Sequence, residues 1–149
     1  MTLRLIHGWT GLEAADRGAA LALGNFDGVH RGHQQVIAAA AGAARELAAP
    51  LGVITFEPHP RRWFQPEAEP FRLMTLGQQA AALDALGVDR LYVLPFGAEL
   101  AEMSDEAFAR EVLHEGLGAR HVAAGFDITF GKGRTGDPAA LARYGEALG

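Results

Sequence analysis

The stretch from Leu21 to Gln35 constrains this chain more than any other. Leu21, Ala22 and Leu23 are apolar and read as the end of a buried strand, and the Ala-rich run from Gly32 to Ala49 reads as a helix. Between them lies a turn with Gly24, Gly28 and Gly32 and two histidines, His30 and His33. Glycines let backbone N–H groups turn inward and approach a ligand closely. A helix start adds unpaired N–H groups and the positive end of the macrodipole. Together they make a seat for phosphate. The two histidines are three residues apart, so on a first helical turn they face the same way.

The rest of the chain repeats this strand-then-helix pattern. Thr2 to Ile6 alternates apolar and polar residues, as a short edge strand does, and Gly8 to Gly18 reads as irregular and polar. Ala19 to Gly24 is a buried strand. The helix after it carries Val36, Ala40, Ala44 and Leu47 on one stripe, and Pro50 ends it. Leu51 to Phe56 is continuously apolar, the pattern of a strand covered on both faces. Glu57 to Phe71 holds four prolines and no periodicity, so it reads as a long loop, and loops of that length are usually functional or disordered. Thr75 and Gln78 form a capping box for a helix reaching about Leu86, with Gly87 as its C-cap. Arg90 to Pro95 is the next strand. Ser104 caps a helix that carries Phe108 and Val112 and stops near Gly116. His121 to Gly125 is a fourth core strand, Phe126 to Asp137 a second glycine-rich loop, and Pro138 starts a last helix ending near Leu148. This alternation predicts an α/β fold: a Rossmann-like parallel sheet with helices on both faces. In such sheets ligands sit beyond the carboxyl ends of the strands, where the three unusual loops would gather.

Composition narrows the function. The 149 residues make one domain's worth of chain, long enough to bury a core without disulfides or structural metals. The chain has no cysteine, which excludes disulfides, thiolate nucleophiles and thiolate-bound metals. The net charge of −5 argues against a nucleic-acid surface. No apolar run is long enough for a transmembrane helix, and the first residues lack the form of a signal peptide. A cytoplasmic protein with no membrane partner is the expectation.

The glycine spacing matches neither a dinucleotide fingerprint nor a P-loop. The one serine, Ser104, serves as a cap, so a serine nucleophile is not expected. His30-Arg31-Gly32-His33 remains. A histidine pair at a helix start suits stabilisation of charge on a transferring phosphoryl group, with Gly32 letting a nucleotide lie close. The competing reading is that one histidine caps locally while the other packs. A metal-binding role for the pair lacks a third ligand nearby, so no protein-held metal is expected.

Gly24-Asn25-Phe26-Asp27-Gly28-Val29-His30-Arg31-Gly32-His33-Gln34 resembles the first signature of the His-x-Gly-His nucleotidyltransferase superfamily. More narrowly, it is similar to the bacterial FAD synthetases, the FMN adenylyltransferase module of bifunctional riboflavin kinase/FMN adenylyltransferases. Thr55-Phe56-Glu57-Pro58-His59-Pro60-Arg61 resembles that family's second block, and Gly125 to Asp137 its third. The resemblance implies transfer of AMP from ATP to FMN, giving FAD and pyrophosphate, with Mg²⁺ accompanying ATP. It implies that His30 and His33 are catalytic. Gly24, Asn25, Phe26, Asp27, His30, Gly32 and His33 would bind ATP. Pro58, Phe64, Gly125, Phe126, Asp127 and Phe130 would bind FMN. Aromatic residues beside a glycine loop suit a flat apolar ring system, although core packing would use the same residues. Two other readings stand beside this one: a non-catalytic nucleotide- or flavin-binding module, and a related nucleotidyltransferase acting on another phosphorylated acceptor.

The chain departs from the family pattern in one respect. The superfamily's second signature, a Ser/Thr-rich turn followed by Arg at a helix start, is absent, and no adjacent Ser–Thr pair occurs. The expectation is a domain incomplete on its C-terminal side, without that signature and without the riboflavin kinase domain. Self-association or marginal stability would follow from the sheet edge left open, and little transferase activity alone from the loss of the donors and positive charge that the missing turn would bring to the ATP phosphates.

Overall fold

A computed structural model describes residues 3–23, 31–57, 76–95, 97–124, 143 and 145. Five strands are described: β1 (Arg4–His7), β2 (Ala20–Leu23), β3 (Leu51–Glu57), β4 (Arg90–Pro95) and β5 (His121–Ala124). The helices are α1 (Arg31–Leu47), α2 (Leu76–Ala85), α3 (Ala98–Ala101) and α4 (Asp105–Ala107), and α4 continues without a break as π-helix from Phe108 to Gly116. Every strand pairing is parallel, and the order across the sheet is β1-β4-β3-β2-β5.

Side chains alternate across the sheet and make two cores. Ala20, Ala22, Leu51, Val53, Leu91 and Val93 meet Ile37, Ala40 and Ala44 of α1 and Ala80 and Leu83 of α2. Leu21, Leu23, Ile54, Tyr92 and Leu94 meet Trp9, Leu100, Met103, Phe108, Val112 and Leu117 on the opposite face. The sheet is therefore sandwiched, which is why β3 and β4 read as unbroken apolar runs. Gly52 is a fit to this packing. A Cβ there would stand 2.7 Å from Leu21 Cδ2 and 2.9 Å from Tyr92 Cε2, too close for any side chain without repacking.

Several local expectations hold. Ser104 Oγ accepts a hydrogen bond from the Ala107 amide at 3.1 Å, with Asp105 and Glu106 in the first turn. Gly87, at φ +87°, closes α2, and the Val88 amide reaches back to the Leu83 carbonyl at 3.1 Å. Helix α1 ends slightly earlier than Pro50 requires. Ala48 takes a left-handed φ of +52°, the Ala49 amide bonds the Ala44 carbonyl, and Arg120 Nη1 donates to the Leu47 carbonyl at 3.2 Å. Of the last predicted helix only Arg143 and Gly145 are described, and both are helical. The capping residue Thr75 lies outside the described residues.

Three readings need correction. The helix after Ser104 is wound as π-helix over Phe108–Gly116, with the Leu117 amide bonded to the Val112 carbonyl at 2.8 Å. Its buried residues Phe108, Val112 and Leu117 are spaced by four and then five positions, which the wider i→i+5 turn keeps on one face. Gly116 permits the close approach, since a Cβ there would lie 2.6 Å from the Trp9 carbonyl oxygen. The short helix α3 was not expected, because four residues carry too little periodicity to read. Strand β5 lies at the edge of the described sheet, with Val122 and Ala123 packed against the two cores. Among the described strands it pairs with β2 alone, with His121 exposed and Val122 half-buried.

The third correction concerns Gly8 to Gly18, which is neither irregular throughout nor wholly polar. Trp9 is buried in the second core, and Ala14–Asp16 forms a 3₁₀ turn. Tyr92 Oη donates to the Asp16 carbonyl at 2.6 Å, and Arg90 donates to Tyr92 Oη and to the Ala15 and Arg17 carbonyls. The Arg4 guanidinium lies 2.9 Å from the buried Asp16 carboxylate. Burial pushes the Tyr92 phenol above its ordinary value of 10.0, and Arg90 only partly offsets this. The native state thus holds this proton where the unfolded state releases it, so its share of stability is complete below pH 10.0 and declines as pH rises beyond that. Tyr92→Phe is expected to cost about 1–2 kcal/mol at neutral pH, through the lost hydrogen bond. It should also flatten the alkaline decline. Urea unfolding of both proteins at about pH 8 and about pH 10.5 checks this, and an identical pH dependence would refute the assignment.

Candidate nucleotide-binding edge

The chain steps from β2 to β3 to β4 in one direction across the sheet and then returns to place β5 on the other side of β2. The point of reversal is the β2–β5 boundary, where doubly wound sheets open a crevice beyond their strand ends. There Leu23 pairs with Ala124, each the last residue of its strand. Gly24 and Gly125 are the next residues of two adjacent parallel strands, so the first and third sequence blocks depart from neighbouring points on one edge. One strand further over, the described β2–β3 pairing ends at Leu23 and Ile54, while Thr55, Phe56 and Glu57 pair with Val93, Leu94 and Pro95. The second block begins at Thr55.

Helix α1 packs on β2, β3 and β5, and its amino end follows the turn that leaves β2. Its first turn contains no acidic residue. That first turn therefore adds no carboxylate of its own to compete for an anion at the positive end of the helix dipole. Gly32 and His33 belong to this first turn by backbone, and their side chains lie outside the described residues. Gly24, Asn25, Phe26, Asp27 and His30 lie outside the described residues, as do Pro58, Phe64, Gly125, Phe126, Asp127 and Phe130. The structure therefore brings together the strand ends from which the three blocks spring.

Among the described residues, no group of three His, Cys, Asp or Glu side chains could hold a metal ion. A shallow open groove runs along α3 and the start of α4, lined by Glu99, Glu102, Met103, Ser104 and Glu111. Its carboxylates would repel a polyphosphate, and it holds none of the ATP- or FMN-site residues expected from the sequence. Sequence reading missed one polar feature near the edge. Thr55 and Gln79 are both buried, and Thr55 Oγ1 lies 3.4 Å from Gln79 Oε1. A glutamine at an inward position of α2 was the available signal.

The parallel sheet and its reversal at a glycine turn before a helix define an α/β fold of the nucleotidyltransferase kind. The chain belongs to the FAD synthetase family, whose model matches residues 12–149. It is 43% identical over 135 residues to the bifunctional riboflavin kinase/FMN adenylyltransferase of Pseudomonas fluorescens, covering 91% of this chain and 43% of that one. It is 38% identical over 146 residues to the protein of that name from Listeria monocytogenes, covering 97% and 46%. The Escherichia coli K12 protein of that name is 34% identical over 148 residues, covering 99% and 47%. The chain spans a little under half the length of these relatives. A crystal structure described as a macrolide-efflux protein from Streptococcus pneumoniae superposes with a TM-score of 0.78 at 27% identity, over 97% of this chain and 47% of that one. No described helix of this chain is long and apolar enough to cross a membrane.

Proposed function

We propose that this chain is the FMN adenylyltransferase module of a two-function flavin enzyme, transferring AMP from ATP to FMN to give FAD and pyrophosphate. One observation carries the reading: in a member of the FAD synthetase family, the glycine-rich first block follows β2 where it pairs with β5 and precedes α1, whose first turn holds no acidic residue. That arrangement supports a polyphosphate at the α1 terminus and an acceptor alongside, over the β5 edge.

In this reading a phosphate oxygen of FMN attacks the α-phosphorus of ATP as the bond to the pyrophosphate oxygen breaks. The reaction needs no covalent enzyme intermediate, so the protein's task is positioning and charge stabilisation. His30 and His33 donate hydrogen bonds to the phosphate oxygens, and the first amides of α1 add further donors. Gly24 to Asp27 shape the adenylate site, and Gly125, Phe126, Asp127 and Phe130, with Pro58 and Phe64, take the flavin. Mg²⁺ arrives with the ATP phosphates and neutralises part of their charge.

The test is direct. The gene's full product is incubated with ATP and FMN, and FAD and pyrophosphate are followed together. Stoichiometric release of both supports the reading. FMN binding without turnover points to a non-catalytic flavin module, and turnover only with another phosphorylated acceptor points to a related transferase.

A further inference from the structure

Among the described residues, the buried face of the sheet beneath α1 and α2 is apolar apart from Thr55 and Gln79. Leu51 and Val53 of β3 point into it among Ala20, Ala22, Leu91 and Val93. Thr55, next on the same face, is also buried, at 2% exposure. Opposite it Gln79 of α2 is equally buried, and Thr55 Oγ1 donates to Gln79 Oε1 across 3.4 Å. Valine and leucine or methionine would fill this space without the desolvation cost of a hydroxyl and an amide. The position of the pair is equally specific. Leu23 is the last residue of β2 and pairs with Ile54, so Thr55 is the first β3 residue past that point. Gln79 lies in the opening turns of α2, the helix that starts at Leu76. The pair therefore joins the carboxyl end of β3, one residue past the last described β2–β3 pair, to the beginning of α2.

We infer that Thr55 and Gln79 are a positioning pair that holds the carboxyl end of β3 and the start of α2 in one register for substrate binding at this edge. Apolar contacts can slide at little cost, whereas a buried hydrogen bond is satisfied in only one alignment. Neither residue is placed in contact with substrate. The functional part of this inference rests on the adenylyltransferase reading, and the structural part does not.

Two readouts on the full gene product separate them. The double variant Thr55→Val with Gln79→Leu removes this hydrogen bond, and Thr55→Val alone removes it while leaving the other interaction of Gln79 in place. Amide hydrogen exchange at Phe56, Glu57, Ala80 and Ala81 should accelerate about fivefold or more as the alignment loosens. KM for ATP or FMN should rise about tenfold with kcat changed less than about threefold. Thr55→Ser, which keeps the hydroxyl, should retain wild-type exchange and KM. Unchanged exchange in the double variant overturns the inference, whatever the activity. Should the double variant unfold, Thr55→Val alone decides it by the same exchange measurement. A wild type that makes no FAD refutes the functional reading, and the exchange result still decides the pair.

Discussion

His33→Ala is expected to lower adenylyl transfer by about 10²–10³ in kcat, the usual cost of removing one preorganised donor to a charge that develops in the transition state. His33 stands in the first turn of α1, a terminus without acidic residues beside the β2–β5 boundary. In the proposed reaction the α-phosphate gains negative charge there, and a donor at a helix start meets that charge more strongly than it meets ground-state ATP. FMN affinity should change little, because the flavin seat proposed above lies over β5 rather than at the start of α1. The measurement is steady-state kinetics with FMN titration by fluorescence, on the gene's full product. A His33→Ala protein with full kcat would assign the histidine to packing and remove the phosphate role.

Asp127→Ala and Phe130→Ala should each weaken FMN binding by about 10–100-fold while leaving ATP affinity nearly intact. The lower figure is what one lost polar contact or partial ring contact costs, and the upper approaches the loss of a buried aromatic face. The motive is the order of the chain at the edge. The third block starts at Gly125, directly after Ala124, whose strand partner Leu23 precedes the first block. Two ligands joined in the reaction need adjacent seats, and two adjacent strand ends supply them. Calorimetric titration of each variant with each ligand checks this. Equal loss of both ligands with a lowered melting temperature would show instead that Asp127 and Phe130 support the core.

Much of the fold was legible because the relevant signals are local. Ser104 and Gly87 act as caps through hydrogen bonds to residues three to five positions away, and the stripe on α1 follows from helical period alone. The apolar run of β3 announced a strand covered on both faces. The misreadings have the opposite character. Trp9 and Asp16 lie in a segment of polar composition, and their burial depends on α4 and β4, far along the chain. The π winding after Ala107 answers to a sheet face and to Trp9 that no window around Phe108 contains. Gln79 faces Thr55, and only the packing of α2 on β3 makes that contact.

By itself, then, the sequence determined the type and order of the elements, the glycine turn with its histidine pair, and the family those blocks mark. Turn chemistry and periodicity act over a few residues and leave their record there. Only the tertiary structure decided that β5 returns to lie beside β2, that Gly24 and Gly125 follow paired residues, and that Thr55 meets the start of α2. Apolar strands are nearly interchangeable as partners when read one at a time. Which of them adjoin is settled by crossover connections and by the burial of two sheet faces together.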